Sequence, residues 1–239
     1  MNTIIINILC EGQTEERFVK EVLKPYLRTS GIVLKHRLLC TSKRKNAQGG
    51  MISYDQARND LLTWMKENQG RTSETHFYTT MFDLYALPTD FPGYDVATRC
   101  TDPYEKVRIL EEAFGADINS HAFIPYLQLH EFEALCFCDI RQLETLYPDS
   151  KKQIQQLSKT LEEYGGNPEL IDNSPQTAPS KRIIASVEHS KKSHYNKPLS
   201  GATVTKNIGI DKLQTMCRHF REWIEQLTAC SSPDFPAVQ

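Results

Sequence analysis

Four carboxylates stand where the pattern of apolar and amphipathic runs would put the ends of strands: Glu11, Asp83, Glu131 and Glu133. Glu11 follows the β-branched run Thr3 to Leu9, Asp83 closes His76 to Phe82, and Glu131 with Glu133 follow Ala122 to Leu129. In a parallel sheet the functional crevice lies beyond the carboxyl ends of the strands. Carboxylates gathered there repel one another unless a cation or a shared proton neutralises them. Hard oxygen donors suit Mg²⁺ or Mn²⁺, which keep several waters and bind through one or two carboxylates plus phosphate oxygens. Gly12 lets the chain turn sharply beside Glu11 and leaves room for a phosphate. The helix that must begin there adds amide dipoles favourable to an anion.

Each of these residues has a plainer reading. Glu11 can be a solvated turn residue, and Asp83 can cap a turn before Pro88. Glu131 and Glu133 share a face if their segment is extended but diverge if it is helical. His130, beside Glu131, suits proton transfer or phosphate positioning, and equally a structural hydrogen bond.

Basic residues that would meet a phosphate-rich substrate fall in three places. Lys43, Arg44 and Lys45 lie on a glycine-ended loop after the second strand. Lys181 and Arg182 open a late helix, and Lys191, Lys192, His194, Tyr195 and Lys197 form a second cluster expected to be flexible. Solvated charge runs would look the same. The chain has no Ser-His-Asp spacing, no P-loop and no dinucleotide fingerprint, which sets those enzyme classes aside.

The elements that must position these groups alternate. Strands are expected at Thr3 to Leu9, Ile32 to Cys40, His76 to Phe82 and Ala122 to Leu129. A helix capped by Thr14 follows the first, with Pro25 inside it as a kink or stop. Others cover Tyr54 to Glu67, Tyr104 to Phe114 after Asp102-Pro103, Arg141 to Leu146, Lys151 to Tyr164, Ser180 to Val187 and Leu213 to Leu227. This order predicts an α/β fold, a mostly parallel central sheet flanked by helices. Residues 1–140 would form the α/β core, 141–229 a helical extension packed on it, and 230–239 a loose tail.

The chain has 239 residues, enough to bury a substantial core. Its 39% hydrophobic and 24% charged residues place it among ordinary globular proteins. A net charge of -2 excludes a generally basic nucleic-acid coat, so contact with phosphates must be local. No segment reaches the length of a membrane span, and the short apolar start has no basic run before it, against a secretion signal. The odd number of scattered cysteines, seven in all, suits reduced thiols and a cytoplasmic location.

Several blocks in fixed order also carry a family resemblance: Cys10-Glu11-Gly12-Gln13-Thr14-Glu15, Asp83-Leu84-Tyr85-Ala86-Leu87-Pro88, Pro125 to Leu135, Thr177 to Arg182, and Cys217 to Trp223. Together they resemble the bacterial family known as domain of unknown function 4276, and the opening block resembles that of Toprim-related proteins. The resemblance implies a Toprim-like fold, as in primases, topoisomerases and the overcoming-lysogenization-defect nucleases. It implies Glu11 as general acid or base and metal ligand, and Asp83 as the first position of a Mg²⁺-binding Asp-x-Asp pair. Tyr85 stands where the second carboxylate would be, so Glu131 or Glu133 would have to supply the missing ligand. It further implies a nuclease of a phage-defence system working with an ABC-type ATPase encoded nearby. The alternative is a catalytically inactive regulatory subunit of such an ATPase.

Overall fold

The computed structural model describes residues 2–40, 51, 53–171, 177–189 and 192–232. Lys43, Arg44, Lys45, Lys191 and most of the expected tail lie outside the described residues.

Strand β1 (Thr3–Cys10) is buried from Ile5 onward, as a β-branched run covered on both faces should be. It pairs in parallel with β2 (Val33–Leu38) on one side and with β3 (Glu74–Asp83) on the other. Two short strands, β4 (Phe123–Ile124) and β5 (Leu127–Gln128), add to β3, also in parallel. The order β2-β1-β3-β4 brings Cys10, Leu38 and Asp83 to one edge of the sheet. The expected continuous fourth strand is thus two short ones. Pro125 between them has no N–H to give a ladder, and Thr80 Oγ1 instead donates to the Tyr126 carbonyl at 2.7 Å.

Helices cover both faces. Against one pack α3 (Tyr54–Glu67), the short α4 (Tyr94–Ala97) and α5 (Pro103–Ile118), whose Leu61, Trp64, Ala97, Leu110 and Phe114 join Leu9, Phe82 and Leu127 in one apolar cluster. The other face is covered by the helix after β1 and by the C-terminal third, where Phe18, Phe132, Val204, Phe220 and Trp223 share a second cluster with Ile6 and Ile8. Trp223 stacks on Tyr126 at 4.1 Å and donates to Thr79 Oγ1 at 2.9 Å. The C-terminal helices are therefore built into the sheet's own core.

Local chemistry accounts for the departures from expectation. The first helix runs as α1 (Gln13–Phe18), a π-helical turn (Val19–Leu23) and α2 (Lys24–Arg28). Pro25 cannot donate, and its ring would strike the carbonyl four residues back. The widened turn accommodates this, with the Lys24 N–H reaching Val19 O. Gly12, not Thr14, caps α1, and its N–H donates to Glu15 Oε2 at 2.8 Å.

After β5 comes a largely 3-10 run over Phe132–Thr145, then α6 (Lys151–Glu163) and α7 (Pro179–Val187). Next is a helix the periodicity did not reveal, α8 (Lys197–Ile208), which begins at the last residue of the cluster expected to be flexible. Asn196 caps it by accepting from the Leu199 N–H at 3.1 Å, and Pro198 fits its first turn. Its buried residues, Ser200, Gly201, Ala202, Val204 and Thr205, are mostly small, so no apolar stripe marks it. The expected helix over Leu213 to Leu227 is two, α9 (Ile210–Met216) and α10 (Arg218–Ala229), parted by extended Cys217. Fully buried Glu169 caps α10, accepting from His219 N at 3.0 Å and Phe220 N at 2.9 Å.

Candidate active site

The carboxyl edge of the sheet holds the site. Glu11 leaves β1 still in register, its N–H donating to Met81 O at 3.1 Å. Its carboxylate then turns across the sheet end. Oε2 accepts the Asp83 N–H at 2.8 Å and Oε1 the Met51 N–H at 3.3 Å. Asp83 in turn accepts the Phe132 N–H on Oδ1 at 2.9 Å. The ends of β1, β3 and the segment after β5 are thereby joined by two carboxylates in series.

A third carboxylate belongs to this group and was not singled out from the sequence. Glu15, on the first turn of α1, is buried, and its side chain folds back over Gly12. The available signal was its position one turn after Glu11 with a glycine between. An acid in the first turn of a helix is ordinarily explained by capping and the helix dipole, which masked it.

Glu131 and Glu133 enter from the other side. Glu131 is extended and Glu133 sits in the 3-10 turn that follows, yet both reach the same ammonium. Lys197 Nζ lies 3.5 Å from Glu133 Oε1 and 3.9 Å from Glu131 Oε2. Glu131 is also held by Ser180, whose N–H donates to Oε1 and whose hydroxyl donates to Oε2 at 3.0 Å. Its oxygens are thus occupied in docking the N-terminus of α7, whereas those of Glu133 face Lys197.

Glu11, Gly12, Glu15, Leu38, Asp83 and Lys197, among others, line a cleft of about 510 Å³; Glu131 and Glu133 are not part of its lining and meet it through Lys197. Its electrostatics follow from burial and like charge. Burial pushes the Glu11 carboxyl up, opposed by the Asp83 and Met51 amides. Burial, with Glu11 and Glu133 nearby, pushes Glu15 up to about 8. Asp83 is raised well above the usual range by burial and then by Glu15, Glu11, Glu133 and Glu131. Glu133 is pushed up by burial to about 7 despite Lys197. Burial would lower the Lys197 ammonium, but Glu133, Glu131 and Asp83 outweigh it and hold its proton more tightly.

The donor set fits a hard divalent cation by chemistry and by charge: carboxylate oxygens that raise one another's pKa are what such an ion relieves. It is not prearranged as a cage. Among the described residues no three His, Cys, Asp or Glu side chains already stand in a metal-holding group. Binding would require Glu15, Asp83 or Glu133 to turn toward a common point.

The other sequence candidates are placed differently. His130 is buried, outside the cleft lining, with a left-handed φ of 60° and its carbonyl accepting the Tyr85 N–H at 2.8 Å. Arg182 Nε donates to Thr177 O at 2.7 Å, within the entry to α7, and Lys181 beside it is exposed. Neither lines the cleft. Tyr85 is exposed and lines a separate small cavity with Tyr94, Thr98 and Lys106. It is not among the residues that line the acidic cleft. No helix among the described residues is long and apolar enough to cross a membrane.

No curated protein and no solved structure is detectably similar to this chain. Residues 10–228 match the family described as "Domain of unknown function (DUF4276)", a span that takes in every element of the site. The chain belongs to that family.

Proposed function

We propose that this protein is a Mg²⁺- or Mn²⁺-dependent nuclease that hydrolyses phosphodiester bonds of DNA or RNA. The observation that carries this reading is the joining of Glu11 to Asp83 at the edge of a cleft that also holds Glu15. Three buried or half-buried acids are kept together there, at a cost in repulsion that a structural role alone would avoid. Asp83, Glu15 and Glu133 would hold the cation, with Glu11 fixing the backbone that carries Asp83. A bound divalent ion supplies polarisation of a phosphoryl oxygen and a more acidic water. Whichever of Glu15 and Glu133 the cation left free would, with its raised pKa, be suited to take or give a proton in such a reaction. Lys197, at the cleft wall, is placed to neutralise a phosphate.

The resemblance to Toprim-related proteins extends this reading to a Toprim-like fold, a cytoplasmic location, a role in phage defence and an ABC-type ATPase partner. Incubation with plasmid DNA and with tRNA, with and without Mn²⁺, tests the activity, with and without the neighbouring ATPase. Cleavage lost in Glu11→Ala and Asp83→Asn supports it. Cleavage that survives both substitutions overturns the assignment to this site.

A second reading, a regulatory subunit without turnover, is favoured by Tyr85 at the position where the resemblance puts a carboxylate. Absence of Mg²⁺ or Mn²⁺ binding at millimolar metal in calorimetry, with the ATPase present, would select it.

A further inference from the structure

The cleft has an apolar rim as well as an acidic floor. Few large apolar side chains are exposed in the described residues, and three of them lie on the segments that bound the cleft: Leu38, Tyr85 and Leu199. Leu38 lines the cleft itself, and Leu199 follows Lys197 and Pro198, which also line it. Tyr85 follows Asp83 by two residues, so their Cα atoms are separated by no more than about 7 Å.

Tyr85 is also held firmly. It sits in a one-turn 3-10 helix, Leu84–Ala86, and its N–H is anchored on the His130 carbonyl at 2.8 Å. That carbonyl is presented by a backbone in the left-handed region, which is uncommon for a residue other than glycine. Strain of this kind persists where the surroundings impose it and clusters at ligand-binding sites. Here it turns the chain between β5 and Glu131 and presents the carbonyl that anchors Tyr85. Tyr85 keeps 43% of its surface exposed, and Lys106 lines the small cavity under it.

An exposed, backbone-anchored tyrosine two residues along the chain from Asp83 of the acidic cleft, with a lysine lining the same small cavity, has the make-up of a stacking platform for nucleic-acid bases. Such platforms pair aromatic faces with cations that follow the backbone. A duplex keeps its base faces stacked on one another, so a base can reach the ring only if unpaired.

We propose that the substrate enters as a single strand, with the base flanking the scissile phosphate stacked on Tyr85. This rests on the nuclease reading above and names the substrate class for the same cleft.

The test measures binding apart from cleavage. Fluorescence anisotropy with single-stranded DNA and RNA oligonucleotides and a matched duplex is run in EDTA and again in Ca²⁺. A parallel series carries 2-aminopurine, whose emission is quenched on stacking. The proposal expects single strands to bind more tightly than duplex. It also expects about a tenfold loss in Tyr85→Ala, within the range for one stacked base, with binding kept in Tyr85→Trp and quenching that disappears in Tyr85→Ala. Unchanged affinity and quenching in Tyr85→Ala, or duplex bound as tightly as single strand, would overturn it while leaving the nuclease reading in place. If neither form binds in either buffer, the nuclease reading falls and this inference falls with it. Circular dichroism of Tyr85→Ala guards against a folding defect, and recovery in Tyr85→Trp separates lost stacking from a disturbed loop.

Discussion

The Asp83 N–H donates to Glu11 Oε2 at 2.8 Å, so the acid that ends the first strand holds the backbone of the acid that ends the third. The two residues are 72 apart in sequence; Glu11 directly follows β1, and Asp83 ends the neighbouring β3. Glu11 is therefore a positioning group whatever else it does. Glu11→Ala should leave the Asp83 and Met51 amides unsatisfied, a cost of about 1–3 kcal/mol for a buried group. Asp83→Asn keeps an acceptor oxygen for the Phe132 N–H and removes a charge from a repelling group. Urea unfolding should thus show Glu11→Ala clearly destabilised and Asp83→Asn nearly unchanged, although the proposed function expects both to lose cleavage. Equal destabilisation would mean that the charge, not the hydrogen bond, sets the energetics.

The raised carboxyls make a signed prediction about pH. Glu15 has a folded pKa of about 8 and an ordinary value near 4.5 when exposed, and Glu133 is raised in the same sense, to about 7. A group whose folded pKa exceeds its unfolded one favours the fold fully at low pH. That contribution is lost as pH rises from the unfolded value through the folded one. Metal-free protein should therefore lose stability between about pH 5 and pH 8, by a few kcal/mol in order of magnitude. Glu15→Gln should flatten that slope, and millimolar Mn²⁺ should largely remove it by binding the charged form. Melting temperatures recorded across this range, with and without metal, check both. A wild-type profile that rises toward pH 8 without metal would contradict the assigned burial.

Lys197 gives the complementary case. Its ammonium is the cation within ion-pair distance of Glu133 and Glu131. Replacing it with methionine keeps the stem and removes the charge, leaving Glu133 buried without that counterion. The side chain is partly exposed, so solvent screening limits the direct loss in stability to about 1 kcal/mol. The larger effect should be on metal dependence. In Lys197→Met the rise in melting temperature on adding Mn²⁺ should exceed that of wild type, because a cation then replaces a missing charge. The proposed nuclease activity should fall if Lys197 also meets the phosphate. An unchanged metal response would show that Lys197 and the cation do not share these carboxylates.

Much of this was legible in the sequence, for reasons specific to particular residues. The run Ile4 to Leu9 has β-branched residues enough to fix a central strand, and a parallel sheet then places Glu11 and Asp83 at one edge without further information. Glu15 was hidden because its sequence position already has a sufficient explanation as a capping acid. Helix α8 was hidden for a different reason. A helix that buries Ser200, Gly201, Ala202 and Thr205 has no apolar stripe for periodicity to detect. Lys197 consequently read as part of a flexible basic cluster facing phosphates, although its helix delivers it to the acids. The break at Cys217 was equally unreadable, since it depends on Glu169, which is distant in sequence and caps the helix that follows.

Gly201 is the residue that lets α8 carry Lys197 so close. A Cβ there would meet Phe132 Cε1 at 2.8 Å and Thr14 Cγ2 at 3.1 Å. The helix therefore presses directly on α1 and on the turn that bears Glu133. In an exposed helix, alanine would stabilise relative to glycine by up to about 1 kcal/mol. Here the added methyl group overpacks the junction, which typically costs about 1–3 kcal/mol. Phe132 cannot retreat freely, because its ring is packed edge-on against Phe18 at 5.4 Å. Relief must come from α8 moving outward, which draws Lys197 from Glu133. Gly201→Ala should accordingly lower the unfolding midpoint and also reproduce part of the enlarged Mn²⁺ response of Lys197→Met. A Gly201→Ala protein more stable than wild type, with a normal metal response, would show that α8 can shift without disturbing the site.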